Sequence, residues 1–214
     1  MGLSTAGLAF LVNASTVGER ELLQATFGNN LHPLQSSDTQ KQLDIREPGN
    51  VAVESKKGAT FVYNAEIARK ILFVGQPLEP AVFIALGRPE VVVVFCHYDS
   101  GGSFGYAIVK NGVTVRSRVH TMDRTTDEGT PNTFELPWLQ AEPFIEEESK
   151  PPAYRNLKTG EVASEAYVTA HLLTQVMNAF FDLVPWDEWN YKTKFNYYEM
   201  KSPVEVAKQW WKLW

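Results

Sequence analysis

Three apolar segments separated by two turn signals follow one another in the stretch Glu90-Val-Val-Val-Val-Phe-Cys-His-Tyr-Asp-Ser-Gly-Gly-Ser-Phe-Gly-Tyr-Ala-Ile-Val-Lys-Asn-Gly-Val-Thr-Val-Arg-Ser-Arg-Val-His120. Asn111-Gly112 is the stronger signal, because a two-residue type I′ turn needs a positive φ at both central positions. The other turn signal is Ser100-Gly-Gly102. The stretch therefore predicts a three-stranded antiparallel meander over residues 90–120, and we expect the rest of the chain to pack around it.

The turn at Asn111-Gly112 also predicts which residues share a face, since alternate residues of a strand point to the same side of a sheet. One face carries Tyr106 and is expected to be the core. The reverse face carries Arg116, Arg118 and His120 over small residues. The predicted pairs across the turn are Ile108 with Val115, Tyr106 with Ser117, Ala107 with Arg116, and Gly105 with Arg118.

The side of the sheet occupied by His97 and Asp99 depends on the length of the first turn. A three-residue loop at Ser100-Gly-Gly102 would place both residues with the two arginines, and a four-residue loop would reverse this. We favour the three-residue loop, because it collects the charged groups on one side and brings Asp99 near Arg118 and His120.

The composition is ordinary for a globular protein, with 214 residues, 44% hydrophobic and 21% charged. A formal net charge of −5 disfavours non-specific binding to nucleic acid or to acidic membranes. A single cysteine, Cys96, excludes an internal disulfide and fits a reducing compartment. The first nineteen residues hold no Lys or Arg, so we interpret them as mature sequence rather than a signal peptide. We expect a soluble cytoplasmic protein without a cofactor.

Apolar periodicity and end signals predict the other elements of the chain. Asn64 can cap a helix that ends before Gly75, and Pro80 can begin a short buried helix. Ser164 opens the longest helix, which runs to about Asp182. The remaining predictions are a strand at 3–12, a helix between 16 and 28, a hairpin at 51–55 and 59–63, a possible strand at 191–200 and a last helix from 202.

We expect one α+β domain over residues 1–214, with a mostly antiparallel sheet built on the meander and helices packed on one face. Residues 121–152 contain five prolines and an acidic run, and they predict a long irregular segment. One interpretation is a solvated connector with Trp138 anchored in the core. The alternative is a lid or a binding loop.

Tryptophan is concentrated near the C-terminus, where five of the six occur between residues 186 and 214. Aromatic side chains at this density seal a core, form an oligomer or partner interface, or stack on a flat ligand. The candidate interface residues are Trp186, Trp189, Trp210 and Trp214.

Cys96 and His97 suggest a thiol nucleophile with its base. Adjacent strand residues point to opposite faces, however, so these two side chains cannot form a hydrogen-bonded dyad. His97, Asp99 and His120 match in type the two-histidine, one-carboxylate set that binds iron. Because the two histidines are only one hairpin apart here, we predict no metal site.

Arg116, Arg118 and His120 form a candidate site for a small anion, since guanidinium groups can bind a carboxylate or phosphate in bidentate fashion. Together with His97 and Asp99 they are the candidate ligand-binding residues. The alternative is that the arginines lie on the solvated side of a sheet or pair with acids of the loop between residues 127 and 148.

The segment Gly105-Tyr-Ala-Ile-Val-Lys-Asn-Gly-Val-Thr-Val-Arg116, preceded by a valine-rich strand, resembles a hairpin of small uncharacterised bacterial proteins described as immunity-like or as domains of unknown function. The resemblance implies a bacterial cytosolic protein and supplies no catalytic residues. Two hypotheses follow from the whole sequence. The first is a non-catalytic binding protein that uses the acidic loop and the tryptophan-rich region against a protein partner or a second copy. The second is an enzyme or small-anion binder centred on the His/Asp/Arg cluster.

Overall fold

The computed structural model describes residues 4–11, 19–28, 31–33, 44, 47, 49–145, 152–186 and 195–200. Within these ranges the chain forms strands and helices in a mixed order. They are β1 (Ser4–Leu11), α1 (Glu19–Phe27), β2 (Leu31–Pro33), β3 (Asn50–Lys56), β4 (Ala59–Tyr63), α2 (Ala65–Leu72), α3 (Pro80–Ala85), β5 (Val91–Tyr98), β6 (Ser103–Lys110), β7 (Val113–His120), β8 (Thr125–Gly129), α4 (Leu136–Leu139), β9 (Pro143–Phe144), β10 (Ala153–Arg155), β11 (Val162–Ser164), α5 (Glu165–Phe181) and β12 (Asn196–Met200).

One large sheet dominates the fold. Its nine strands lie in the order β2-β12-β3-β4-β1-β5-β6-β7-β8, and each described pairing is antiparallel. A second sheet of three short strands has the order β11-β10-β9 and leads directly into α5. The prediction of an α+β fold with a mostly antiparallel sheet is confirmed.

Helices cover both faces of the large sheet, so the prediction of helices on one face is wrong. Helices α1, α2 and α3 pack on one side, called here the α2 face, and α4 and α5 pack on the other, called the α5 face. The reason lies in strands such as β5, where Val92 and Val94 enter the core of the α2 face while Val93 and Phe95 enter that of the α5 face. A strand that is apolar on both sides needs cover on both sides.

Two helix ends and the turn at Asn111-Gly112 behave as the sequence predicts. The Asn64 side chain accepts a hydrogen bond of 2.9 Å from the Ile67 amide and so caps α2. Asn111 and Gly112 have φ of 51° and 81°, the left-handed values that a type I′ turn requires. The long helix α5 begins after Ser164 and ends before Asp182, as predicted.

Residues 121–145 are more regular than the predicted irregular segment. They contain strand β8, which pairs with β7, and the short helix α4. Pro137 stands in the first turn of α4, where a missing N–H costs no helical hydrogen bond. Trp138 is only 1% exposed, so its predicted anchoring in the core is confirmed.

Residues 187–194 and 201–214 lie outside the described residues. The predicted last helix from residue 202 and the candidate interface residues Trp189, Trp210 and Trp214 fall there. Of the helices that the structure describes, none has the length and apolarity needed to cross a bilayer.

Candidate functional site

A β-bulge in β7 decides where the arginines lie. Ile108 stands opposite Arg116 rather than Val115, because the bulge gives β7 one more residue than β6 at this point. The predicted pairing beyond the bulge is therefore wrong by one residue. Arg116 and Arg118 point to the α5 face, the side of the sheet that also carries Tyr106.

The first turn also differs from the prediction. Tyr98 pairs with Ser103, so four residues, 99–102, connect β5 to β6 instead of three. A 3-10 turn at Asp99–Gly101, followed by a left-handed residue at Gly102, reverses the chain. The bulge in β7 and the longer turn after β5 each move residues to the opposite face, so their effects cancel. His97 therefore lies on the same face as Arg116 and Arg118, as predicted.

Three rows of paired residues cross strands β5 to β8 on the α5 face. Directly paired residues of antiparallel strands share a face, so each row brings residues from all four strands together. The rows are His97–Phe104–His120–Thr125, Phe95–Tyr106–Arg118–Asp127 and Val93–Ile108–Arg116–Gly129.

Arg116 is buried against two carboxylates. Its side chain is 1% exposed, and its Nε donates to both oxygens of Glu135 at 3.1 and 3.3 Å. Its Nη1 donates to Asp127 and to the Glu128 carbonyl. Glu135 is fully buried and also accepts hydrogen bonds from the Tyr106 hydroxyl and the Asn132 amide groups. This pair is therefore stabilised by hydrogen bonds on both partners, as a buried ion pair requires.

Arg118 uses all three of its side-chain nitrogens within the protein. Nη1 donates to Asp127, Nη2 donates to Glu165, and Nε donates to the Thr169 hydroxyl at 3.2 Å. Glu165 and Thr169 stand four residues apart on α5, so one side of that helix presents both to Arg118. Arg118 thereby joins the sheet to the helix.

Asp127 bridges the two arginines, with one oxygen bonded to each. Burial alone would raise the pKa of Asp127, but the hydrogen bonds and positive charges of Arg116 and Arg118 outweigh burial and lower it. Asp127 is therefore ionised at neutral pH. Across the cluster, three carboxylates meet two guanidinium groups, so the cluster carries one excess negative charge.

The two histidines and Asp99 are less closely associated than predicted. His120 Nδ1 lies 2.8 Å from the Thr125 hydroxyl, and burial, with help from Arg118, lowers the pKa of His120 against the opposing charge of Glu165. His97 stacks on Trp186 at 4.7 Å between ring centres. Asp99 lies in the exposed turn after β5.

Phe104, on the strand between them, separates His97 from His120. Among the described residues, no group of three or more His, Cys, Asp or Glu side chains is arranged to hold a metal ion.

A cavity of about 310 Å³, the Arg118 pocket, opens beside this cluster where β7, β8, α4, β10 and α5 meet. The side chains of Asp127 and Glu165 in its wall are 34% and 28% exposed, whereas Arg118 is 7% exposed. The remaining lining residues are Pro131, Trp138, Leu139, Tyr154 and Val168. The pocket thus combines a charged wall with an apolar and aromatic wall.

The pocket includes residues that the sequence did not single out. Sequence reasoning considered acids of the 127–148 loop as partners for the arginines, and Asp127 and Glu135 belong to that loop. Glu165 and Tyr154 were missed. The available signal was the spacing of Glu165 and Thr169 on the side of α5 that also carries the buried Val168.

Two possible nucleophiles are not placed for catalysis. Cys96 lies in the core of the α2 face, whereas His97 lies on the α5 face, so the two side chains form no dyad, as predicted. Burial also raises the pKa of the Cys96 thiol. Gly101-Gly-Ser-Phe-Gly105 has the spacing of a nucleophile elbow, a match that sequence reasoning missed. Ser103, however, begins an antiparallel strand and is 3% exposed, whereas an elbow serine stands on an exposed strand-to-helix turn.

A wider groove of about 680 Å³, the α2-face groove, lies between residues 71–77 and the outer sides of β7 and β8. It includes Val115 and Glu128, but Asp127 and Glu165 do not line it. It is therefore separate from the Arg118 pocket.

A scan against protein-family models found no match, and searches of curated proteins and of solved structures gave no significant match. The resemblance to immunity-like bacterial proteins accordingly stays a prediction.

Proposed function

We propose that this chain is a non-catalytic binding protein and that the Arg118 pocket is its binding site. The pocket itself is the observation that carries the proposal. Its volume of about 310 Å³ is at the lower end of the range typical of small-molecule sites. Apolar walls with a few convergent polar groups are also typical of such sites.

The state of the charged groups supports binding rather than catalysis. A general base works best when its pKa is near the working pH. The pKa of Asp127 is held below its ordinary value by the two arginines, so its carboxylate is a weak base at neutral pH. Arg118 and Glu165 are bonded to one another and orient the pocket wall.

The acidic segment contributes to the pocket in this proposal, since it supplies Asp127 and, through Pro131, Trp138 and Leu139, much of the pocket wall, whereas its predicted contact with a protein partner stays a prediction. Trp186 packs against Phe95 and His97 within the fold. A protein partner or second copy bound through Trp189, Trp210 and Trp214 stays a prediction.

The alternative is an enzyme or a binder of small anions at the same cluster. An anion at Arg118 would compete with Asp127 and Glu165 for guanidinium N–H groups and would be repelled by both carboxylates. The geometry therefore favours the first proposal.

The proposal can be tested by ligand-observed NMR with a mixed library of small amines, acids and neutral compounds. Leu139→Trp fills the pocket from its half-buried apolar wall and leaves the ion pairs in place. Leu157→Trp is the matched control, because Leu157 is 64% exposed and does not line the pocket.

We expect some compounds to bind the parent and Leu157→Trp, to bind Leu139→Trp at least about tenfold more weakly, and to be recovered unchanged by mass spectrometry. Equal binding to all three proteins would refute the site. Chemical conversion of a bound compound would favour the enzyme alternative.

A further inference from the structure

We infer that the Arg118 pocket selects ligands with an alkylammonium group, that is, a protonated amine on an apolar stem. The inference rests on the proposed function, because it specifies the ligand class of the same pocket. The residues of the pocket wall indicate both the sign of the ligand's charge and the apolar character of its carbon stem.

The positive charge of the pocket wall is already used within the protein. Arg118 already donates from Nε, Nη1 and Nη2 to Thr169, Asp127 and Glu165. Arg116 has a buried nitrogen, Nη2, without a hydrogen-bond partner among the described residues, but Arg116 does not line the pocket. Each nitrogen of Arg118 therefore already donates to a protein group, and its two remaining N–H groups are on Nη1 and Nη2, which are bonded to carboxylates that repel an entering anion.

The negative charge of the pocket wall is more accessible than its positive charge. Asp127 and Glu165 are the most exposed charged groups of the cluster, at 34% and 28%, and both line the pocket. The third carboxylate, Glu135, is fully buried and is bonded to Arg116. Because the cluster has one carboxylate more than it has guanidinium groups, a cation in the pocket restores charge balance and an anion increases the imbalance.

The apolar wall of the pocket is suited to the uncharged part of a ligand. Trp138, Leu139 and Val168 form an apolar wall that can bury methylene groups. Tyr154 lies in the same wall, close to Glu165. Aromatic rings attract ammonium groups through their negative faces. A ligand can therefore place its ammonium group at Asp127 and Glu165 and bury its carbon stem against Trp138, so that it interacts with both walls.

Isothermal titration calorimetry on the full chain tests the inference with four probes: n-pentylamine, pentanoate, n-pentanol and inorganic phosphate. The first three have five carbon atoms each and differ in charge. We expect pentylamine to bind at least about tenfold more tightly than pentanol, and pentanoate and phosphate to give no measurable heat.

Glu165→Gln is the decisive variant, since it removes one charge of the pocket wall and keeps a hydrogen-bond acceptor for Arg118. Glu161→Gln is the matched control, because Glu161 is half exposed, pairs with His171 and does not line the pocket. Pentylamine affinity should fall about tenfold in Glu165→Gln and stay unchanged in Glu161→Gln. If circular dichroism shows that Glu165→Gln does not fold, Leu139→Trp gives the same comparison, with loss of pentylamine binding expected.

The outcomes separate the inference from the proposed function. Equal binding of pentanol and pentylamine, or tighter binding of pentanoate or phosphate, would overturn the ammonium inference and leave the pocket as a binding site. Pentylamine binding that Glu165→Gln and Leu139→Trp do not weaken would place the amine elsewhere and overturn the inference. Failure of every probe and every library compound to bind would overturn both.

A lysine side chain on a peptide offers the same chemistry as a free amine. Nα-acetyl-lysine amide, titrated beside pentylamine, distinguishes the sources. Tighter binding of the lysine compound would indicate a peptide ligand, and tighter binding of pentylamine would indicate a free amine.

Discussion

Glu135→Ala is the substitution that tests the buried ion-pair network most sharply. Glu135 is fully buried and accepts hydrogen bonds from Arg116 Nε at 3.1 Å, from Asn132 Nδ2 at 2.9 Å and from the Tyr106 hydroxyl. The Asn132 backbone amide donates to it as well, so removing the carboxylate leaves four donors without this acceptor and removes one of the two carboxylates that balance the charge of Arg116.

The expected cost follows from the burial of both partners. Removing one partner of a buried ion pair typically costs about 3–5 kcal/mol. Because Arg116 keeps its bond to Asp127, we expect the lower end, about 3 kcal/mol. For a chain of this size, this corresponds to a fall in Tm of roughly 6–12 °C. Such a loss is a large part of the total stability of a typical domain, which is about 5–15 kcal/mol.

Urea denaturation followed by circular dichroism measures the loss, and Glu66→Ala is the control. Glu66 pairs with Lys70 at 3.4 Å on helix α2, where both side chains are partly exposed, so its loss should cost less than about 1 kcal/mol. Glu135→Gln, which keeps an acceptor but not the charge, should fall between these two variants. If Glu135→Ala lowers the free energy of unfolding no more than Glu66→Ala does, the buried ion-pair network does not stabilise the fold.

Three further predictions concern the sheet and its histidine. Gly7→Ala should cost at least about 1–3 kcal/mol in urea denaturation, because its Cβ would come within 2.0 Å of a β4 carbonyl oxygen, whereas Gly101→Ala, with open space around it, should be nearly neutral. Deleting Val115 should remove the bulge and leave a folded protein, whereas deleting Ser117 should turn one of the two buried arginines to the wrong face and prevent folding, as circular dichroism would show. An NMR titration of the His120 ring should give a midpoint below 6.5, and the contribution of His120 to stability should be lost as the pH falls from 6.5 through that midpoint. Equal losses of stability for Gly7→Ala and Gly101→Ala would contradict the first prediction. Equal effects of the two deletions would contradict the second, and a His120 midpoint above 6.5 would contradict the third.

Local chemistry made most elements predictable from the sequence. The turn at Asn111-Gly112 and the cap at Asn64 depend on residues within a few positions of one another, and both occur as predicted. The helices on both faces could also have been anticipated. Val91 to Val94 form an unbroken apolar run of the kind that predicts burial on both sides of a strand.

The bulge could not be predicted, because its cause is distant in the sequence. Alternation assigned Val115 to the core, yet Val115 is 40% exposed and Arg116 takes the buried position. Burial of an arginine is stable only with charged partners, and these come from Asp127, Glu135 and Glu165 on three different segments. No periodicity within β7 contains that information.

The candidate site was predictable only in part for the same reason. The two arginines and His120 were identified from their alternation in one strand. The carboxylates that reverse the charge of the site, above all Glu165, belong to elements whose packing the sequence pattern does not specify.

The most direct test of the central claim is a ¹H–¹⁵N NMR map of the chain titrated with n-pentylamine. We expect concentration-dependent shifts at the backbone amides of Asp127, Leu139 and Glu165 and at the indole of Trp138, and we expect Glu165→Gln to need about tenfold more amine for the same shifts. Shifts confined to the α2-face groove, or no shifts at millimolar amine, would contradict the claim that the Arg118 pocket binds an ammonium ligand.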